Sequence, residues 1–148
     1  MPQLAKLTTF PKTALISGII WSVWHYPILL FADYNSGTPA WYGLTRFTVM
    51  VLGISFCFAW LRLKSGSLWT GTILHASHNL FIQGVFTPLT KDSGITEYVI
   101  DEFGAALAIA AVVVAYFSWK KAAELDELKL RIESSASAEP GIQPVGAV

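Results

Sequence analysis

The sequence predicts an all-α integral membrane protein, a bundle of about four transmembrane helices. Three observations predict it. The 148 residues are 53% hydrophobic, with a mean hydropathy of +0.51. Only 14% are charged, against about 25% in a soluble domain. The apolar residues also gather in four long blocks rather than in short alternating runs, which suits helices and not a lipid-spanning barrel. The length is enough for one domain.

The blocks follow in order. Residues 1–12, "MPQLAKLTTFPK", form a short polar segment on the cytoplasmic side. The apolar block after it is too long for a signal-peptide core and has no clear small-residue cleavage site, so no removable targeting segment is read there. The first predicted span is 13–32, with no charge apart from one His25 could carry. The second, 39–61, holds only Arg46, near one end. The third, 66–86, has no Asp, Glu, Lys or Arg. The fourth, 103–119, is rich in Ala and Val. Each is close to the roughly 20 apolar residues a membrane helix needs. "ADYNSGTP" links the first two spans, "RLKSGS" the next two, and "TPLTKDSGITEYVIDE" the last two. Residues 120–148 read as a charged helical stretch followed by a disordered tail of small, polar, Pro- and Gly-bearing residues.

Charge placement sets the expected orientation. Lys6 and Lys12 precede the first span, Arg62 and Lys64 sit in the second connection, and Lys120 and Lys121 follow the fourth. The first connection has no basic residue. The third has only Lys91, against Asp92, Glu97, Asp101 and Glu102. The positive-inside rule then places both termini in the cytoplasm of a cell membrane, with lipids as the surroundings. A formal net charge of zero gives no reason to expect a nucleic-acid partner. The single cysteine, Cys57, excludes an internal disulfide and reads as a buried, inert thiol.

Within the third span, "GSLWTGTILHASHNLFIQG" carries His75, His78 and Asn79 in lipid-like surroundings. His75 and Asn79 are four residues apart and share a helix face. With both helices entering from the cytoplasmic side, His25 lies roughly 18 Å deep and His75 roughly 15 Å deep at about 1.5 Å per residue. Polar groups at mid-depth are costly and turn toward a cavity or a partner. Gly18, Trp21 and Ser22 share the face of His25, which suggests a small, polar seam between the first and third spans. Trp21 and Trp24 are expected to pack around His25. His78 reads first as a local hydrogen-bonding residue. Arg46 reads as snorkelling or pairing with Asp33.

Two imidazoles and an amide have a definite chemical repertoire. Imidazoles move protons near neutrality, and an amide N–H can hold a developing oxyanion. His25 and His75 are the candidate metal ligands, and zinc is the ion their nitrogens suit. Two imidazoles and an amide fall short of the usual three protein ligands. Hydrolysis of a peptide bond also needs a carboxylate to take the proton from water, and no predicted span contains Asp or Glu. The rival readings are a non-catalytic helix bundle or assembly module, whose polar seam holds helices or a partner chain supplying missing ones, and bis-histidine haem ligation.

"SGIIWSVWHYPILLF" and "SGSLWTGTILHASHNLF" resemble the second and third motifs of the CPBP intramembrane proteases, the CAAX prenyl endopeptidases and bacteriocin-processing (Abi) relatives. An aromatic residue, three others and a histidine are Trp21 and His25 here, with Trp in place of the usual Phe. A histidine, three others and an asparagine are His75 and Asn79. The resemblance covers roughly Met1 to Trp119. It implies a membrane-embedded endopeptidase acting on a peptide or prenylated protein, with His25 on water and His75 and Asn79 on the carbonyl oxygen. The family's first motif, two glutamates, three residues and an arginine, would precede the first span. Its absence implies a carboxy-terminal part, a truncated form with little activity alone. "DELKLR", Asp126 to Arg131, has similar letters but reads as a solvated helix closed by a Glu127–Arg131 pair.

Overall fold

The computed structural model describes residues 1–32, 34 and 37–125, and among these it is helical without a strand. In chain order the helices are α1 (Pro2–Leu7), α2 (Phe10–Phe31), α3 (Ala40–Ser65) and α4 (Leu68–Asn79). A π-helical segment (Leu80–Phe86) then runs into α5 (Thr87–Leu89). The short α6 (Thr96–Val99) and the long α7 (Ala105–Lys120) complete the set. Asp33 and the segment Asp126 to Arg131 lie outside the described residues.

Three stretches are long and apolar enough to cross a membrane: Phe10–Phe31, Ala40–Ser65 and Ala105–Leu125. They correspond to the first, second and fourth predicted spans. The third predicted span is divided between α4 and the π-helical segment, whose wider turn begins directly after Asn79. π-Turns inside helices recur at functional positions.

The surface and the interior carry the composition of a lipid-soluble body. Ile19, Ile20, Val23 and Trp24 on α2 are exposed, as are Ile109, Val112 and Val113 on α7. The buried set includes small and hydroxyl-bearing residues: Thr13, Ala14 and Ser22 on α2, Ser55 and Ala59 on α3, and Ala108 and Ala111 on α7. Lipid tails solvate large aliphatic side chains as well as a protein core does. Helix association therefore favours small residues that let backbones approach. The chain is an integral membrane protein.

α3 is the hub, packing against α2, α4 and α7. A Cβ on Gly18 of α2 would lie 2.8 Å from Ser55 Oγ of α3, and one on Gly53 of α3 would lie 2.7 Å from the Ala111 backbone of α7. The close small-residue approaches thus run from α3 to α2 and to α7. Gly18, expected at a seam between the first and third spans, is received by α3 instead, while those two spans meet through side chains, Trp21 against His75. The core joins Leu29, Phe47, Met50, Val51 and Phe103 with Ala108 and Ala111.

Local chemistry explains where α3 stops and α4 starts. Gly66 adopts φ +66°, a left-handed conformation that favours glycine, and closes α3. Ser67 is the N-cap of α4 and accepts a hydrogen bond from the Trp69 amide at 3.2 Å. Trp41, Trp69 and Trp119 are exposed near helix ends, as interfacial anchors are.

Candidate functional site

One cavity of about 150 Å³ brings together the three histidines, Asn79, Gln83 and Glu102. α2 contributes Trp21, His25 and Leu29, and α3 contributes Phe47, Met50, Val51, Ile54 and Phe58. α4 contributes His75, His78 and Asn79. Tyr34, Gln83 and Glu102 complete the lining. His25, His75 and Asn79, singled out by their spacing in the sequence, therefore face one pocket from two helices.

His25 is oriented by its own helix. Its Nδ1 lies 2.9 Å from the Trp21 carbonyl oxygen. A carbonyl can only accept, so Nδ1–H donates, and the neutral ring keeps its lone pair on Nε2. The ring also packs on Phe47 at 5.3 Å between centroids. Trp21 lies 5.3 Å from the His75 ring and 5.2 Å from Phe58, and Phe58 in turn meets His75 edge-on at 6.4 Å. These aromatic contacts hold the α4 imidazole beside the α2–α3 body. Trp24, expected beside His25, is 80% exposed. It precedes His25 by one residue, about 100° round the helix, and so points away from the His25 face. Arg46 places its guanidinium over the Tyr42 ring, 5.0 Å from the centroid. Its expected partner Asp33 lies outside the described residues.

The residue that sequence reasoning missed is Glu102. It reads as one of four acids in an outer connection, yet it is 7% exposed and its Oε1 lies 3.2 Å from His78 Nε2. Whichever proton arrangement holds, the pair brings a carboxyl group into a pocket whose spans have none. His78, expected to bond locally, instead bridges 24 residues to the turn before α7. The backbone there is specialised. Asp101 adopts φ +68°, and its Oδ1 accepts from the Glu102 amide at 2.8 Å. The Gly104 amide donates to the Asp101 carbonyl at 3.2 Å. A Cβ on Gly104 would lie 2.1 Å from the Ile100 carbonyl oxygen, so the turn requires glycine there. Phe103, 2% exposed, stacks on Phe47 at 6.0 Å and meets Tyr34 edge-on at 5.5 Å. The one hint in the sequence is "IDEFG": an acid pair between Ile100 and Phe103, next to the start of a span.

Tyr34 and Gln83 close the pocket beside Glu102. Gln83 Nε2 donates to Tyr34 Oη at 3.2 Å. Burial, and after it the charges of Glu102 and Asp101, push the Tyr34 phenol above its ordinary value, while the Gln83 hydrogen bond opposes them. The hydroxyl thus stays protonated and able to donate.

Zinc fits this donor set poorly. Among the described residues no group of three or more His, Cys, Asp or Glu side chains is placed to hold a metal ion. His78 Nε2 is engaged by the Glu102 carboxylate.

An all-helical membrane bundle enclosing a pocket of imidazoles, an amide and a buried carboxyl group is the frame of a polytopic membrane protein with a polar intramembrane site. Comparison with known proteins makes this specific. The model of the type II CAAX prenyl endopeptidase Rce1-like family matches residues 1–81, and the chain belongs to that family. It is also 28% identical, over 112 residues, to CAAX prenyl protease 2 of Methanococcus maripaludis. That alignment covers 71% of this chain and 38% of the relative's length. No solved structure matches it. The family match contains His25, His75, His78 and Asn79, and Glu102 lies beyond it.

Proposed function

We propose that this chain carries the site of a membrane-embedded endopeptidase of the CAAX prenyl protease type. The carrying observation is the convergence of His25, His75 and Asn79 on one pocket. His25 presents Nε2 as a base to a water molecule, because Nδ1 is held by the Trp21 carbonyl. His75 and Asn79 receive the substrate carbonyl oxygen and stabilise the oxyanion that forms as water adds. A second, more apolar groove of about 670 Å³ supports a lipid-bearing peptide as substrate. Gly71, Phe58, Arg62 and Leu68 line it, and His75 lines both cavities.

The family's Glu-Glu-xxx-Arg motif is not among these residues, so the chain alone is expected to turn over slowly. The test is cleavage of a prenylated peptide in liposomes by this chain and by a version extended to carry that motif. The extended version should be faster. In it, His25→Ala and His75→Ala should each cost about 10²-fold or more with little change in unfolding midpoint. A His75→Ala protein that loses stability but keeps full turnover would instead mark an assembly module whose seam only binds helices.

Both termini and the Arg62–Ser67 turn face the cytoplasm in this reading, supported by Lys6, Lys12, Arg62, Lys64, Lys120 and Lys121. A cysteine introduced at Ser65 should react with an impermeant maleimide in inverted vesicles and not in intact cells. The reverse pattern refutes the orientation.

A further inference from the structure

We propose that the adjoining ends of α3 and α7 bind the phosphate headgroup of an anionic phospholipid, through Lys64 and Lys121 at the Trp60 ring and Lys120 at the Tyr116 ring. This site is separate from the polar pocket and independent of the hydrolytic reading.

Three features meet there. The first is a doubled contact of cations with one ring. Lys64 Nζ lies 4.6 Å and Lys121 Nζ 5.2 Å from the Trp60 ring centroid. The indole is fixed across the two helices, because its Nε1–H donates to the Lys121 carbonyl at 3.3 Å. Lys120 Nζ lies 4.8 Å from the Tyr116 ring. Lysines beside membrane aromatic residues reach from the apolar layer to the headgroup level. The second is uneven charge. Lys64 pairs with the Glu124 carboxylate at 2.7 Å, and among the described residues Lys120 and Lys121 pair with no carboxylate. Three ammonium groups thus stand against a single acid, and a further anion relieves their repulsion. The third is the surface below. Ile109, Val113, Tyr116 and Lys120 follow at intervals of four, three and four residues, so they form one stripe along α7. All four are exposed. An acyl chain lying on that stripe brings its phosphate to Lys120.

The chemistry selects the headgroup. A choline group carries a positive charge that these lysines repel, and the rings that would hold it by cation–π attraction already carry ammonium groups. Phosphatidylglycerol has only its negative phosphodiester, which accepts charge-assisted hydrogen bonds from more than one lysine. Glu124 is then a competitor, since its carboxylate occupies Lys64. The site also lies away from the first residues of the chain. Trp60 and Lys64 are one turn apart and reach α7 and Glu124, whereas Arg62, between them, lines the groove beside Met1 and Pro2.

The test is native mass spectrometry of the purified full chain in detergent, with equal amounts of phosphatidylglycerol and phosphatidylcholine of matched acyl chains. The readout is the ratio of the two in the first-bound lipid. The wild type should favour phosphatidylglycerol by about fivefold or more, the effect of one lysine near an anionic membrane surface. Lys64→Gln, Lys120→Gln and Lys121→Gln should each lower the ratio, and Lys64→Arg and Lys121→Arg should keep it. Glu124→Gln should raise it by releasing Lys64. Lys91→Gln removes the same charge from another connection and should leave it unchanged. A wild-type ratio near one overturns the proposal, and so does a fall in Lys91→Gln equal to that in Lys121→Gln. Inorganic phosphate separates the sources: if it displaces phosphatidylglycerol at equal concentration, the site takes a free ion and the lipid assignment fails. Circular dichroism checks the fold of each variant. Should a glutamine variant of a lysine unfold, Glu124→Gln decides: a raised ratio supports the site, and an unraised one overturns it.

Discussion

The α3–α7 and α3–α4 contacts are built on opposite terms. At the first, Gly53 lies so close to α7 that a Cβ would sit 2.7 Å from the Ala111 carbonyl carbon and oxygen. Ala108 and Ala111 are buried beside it. At the second, a Cβ on Gly71 would meet Phe58 at 3.5 Å, an ordinary contact. No residue of α4 is buried, and Leu68, Trp69 and Ile73 are all more than half exposed. The first contact joins backbones and the second joins side chains. α4 is held by Phe58 and Trp21 around His75 and by the His78–Glu102 bond. The pocket lies between a firm wall of α2 and α3 and this lightly held helix. Elements that admit ligands come from the less stable end of a structure, and a substrate entering here would displace few packed atoms.

The largest effect that this contrast predicts is at Gly53. Gly53→Ala must move α3 and α7 apart, because the obstructing atoms are backbone. Overpacking of this kind costs about 1–3 kcal/mol. The fraction folded across an SDS titration should fall accordingly, with Gly53→Leu falling further. A Gly53→Ala midpoint equal to that of the wild type would show that α7 yields as easily as α4, and the contrast would fail.

The same contrast separates what the sequence reveals from what it hides. Span positions are legible because hydropathy is summed over twenty residues and survives local exceptions. His75 and Asn79 are legible because charge-poor surroundings make each polar residue conspicuous, and a four-residue spacing fixes their common face. Glu102 is hidden for the opposite reason. Asp92, Glu97 and Asp101 surround it in sequence, and an acid among acids in a connection reads as solvated. Only the turn through Asp101 and Gly104, a tertiary matter, carries it inside. Partner choice is hidden too. Gly18 announces a close approach but not to which helix, and the structure gives it to α3 rather than to the third span. The π-helical segment after Asn79 has no signature in "LFIQGVF". The outward face of Trp24 depends on a register that an aromatic pair alone does not settle.

The smaller effect is at Gly71, and it tests the loose side of the comparison. Glycine in a helix interior forgoes up to about 1 kcal/mol relative to alanine in water, and glycine is better tolerated in membrane helices. A methyl at Gly71 would reach Phe58 at van der Waals distance and meet no other group within 4 Å. Gly71→Ala should therefore leave the SDS midpoint unchanged or raise it by less than about 1 kcal/mol. Its methyl also touches the ring that packs against His75 and Trp21. Whatever change appears should thus be seen in cleavage of the prenylated peptide rather than in folding. A Gly71→Ala protein destabilised as much as Gly53→Ala would mean that α4 is clamped to α3 as firmly as α7 is. The pocket would then need an entrance other than the α4 side.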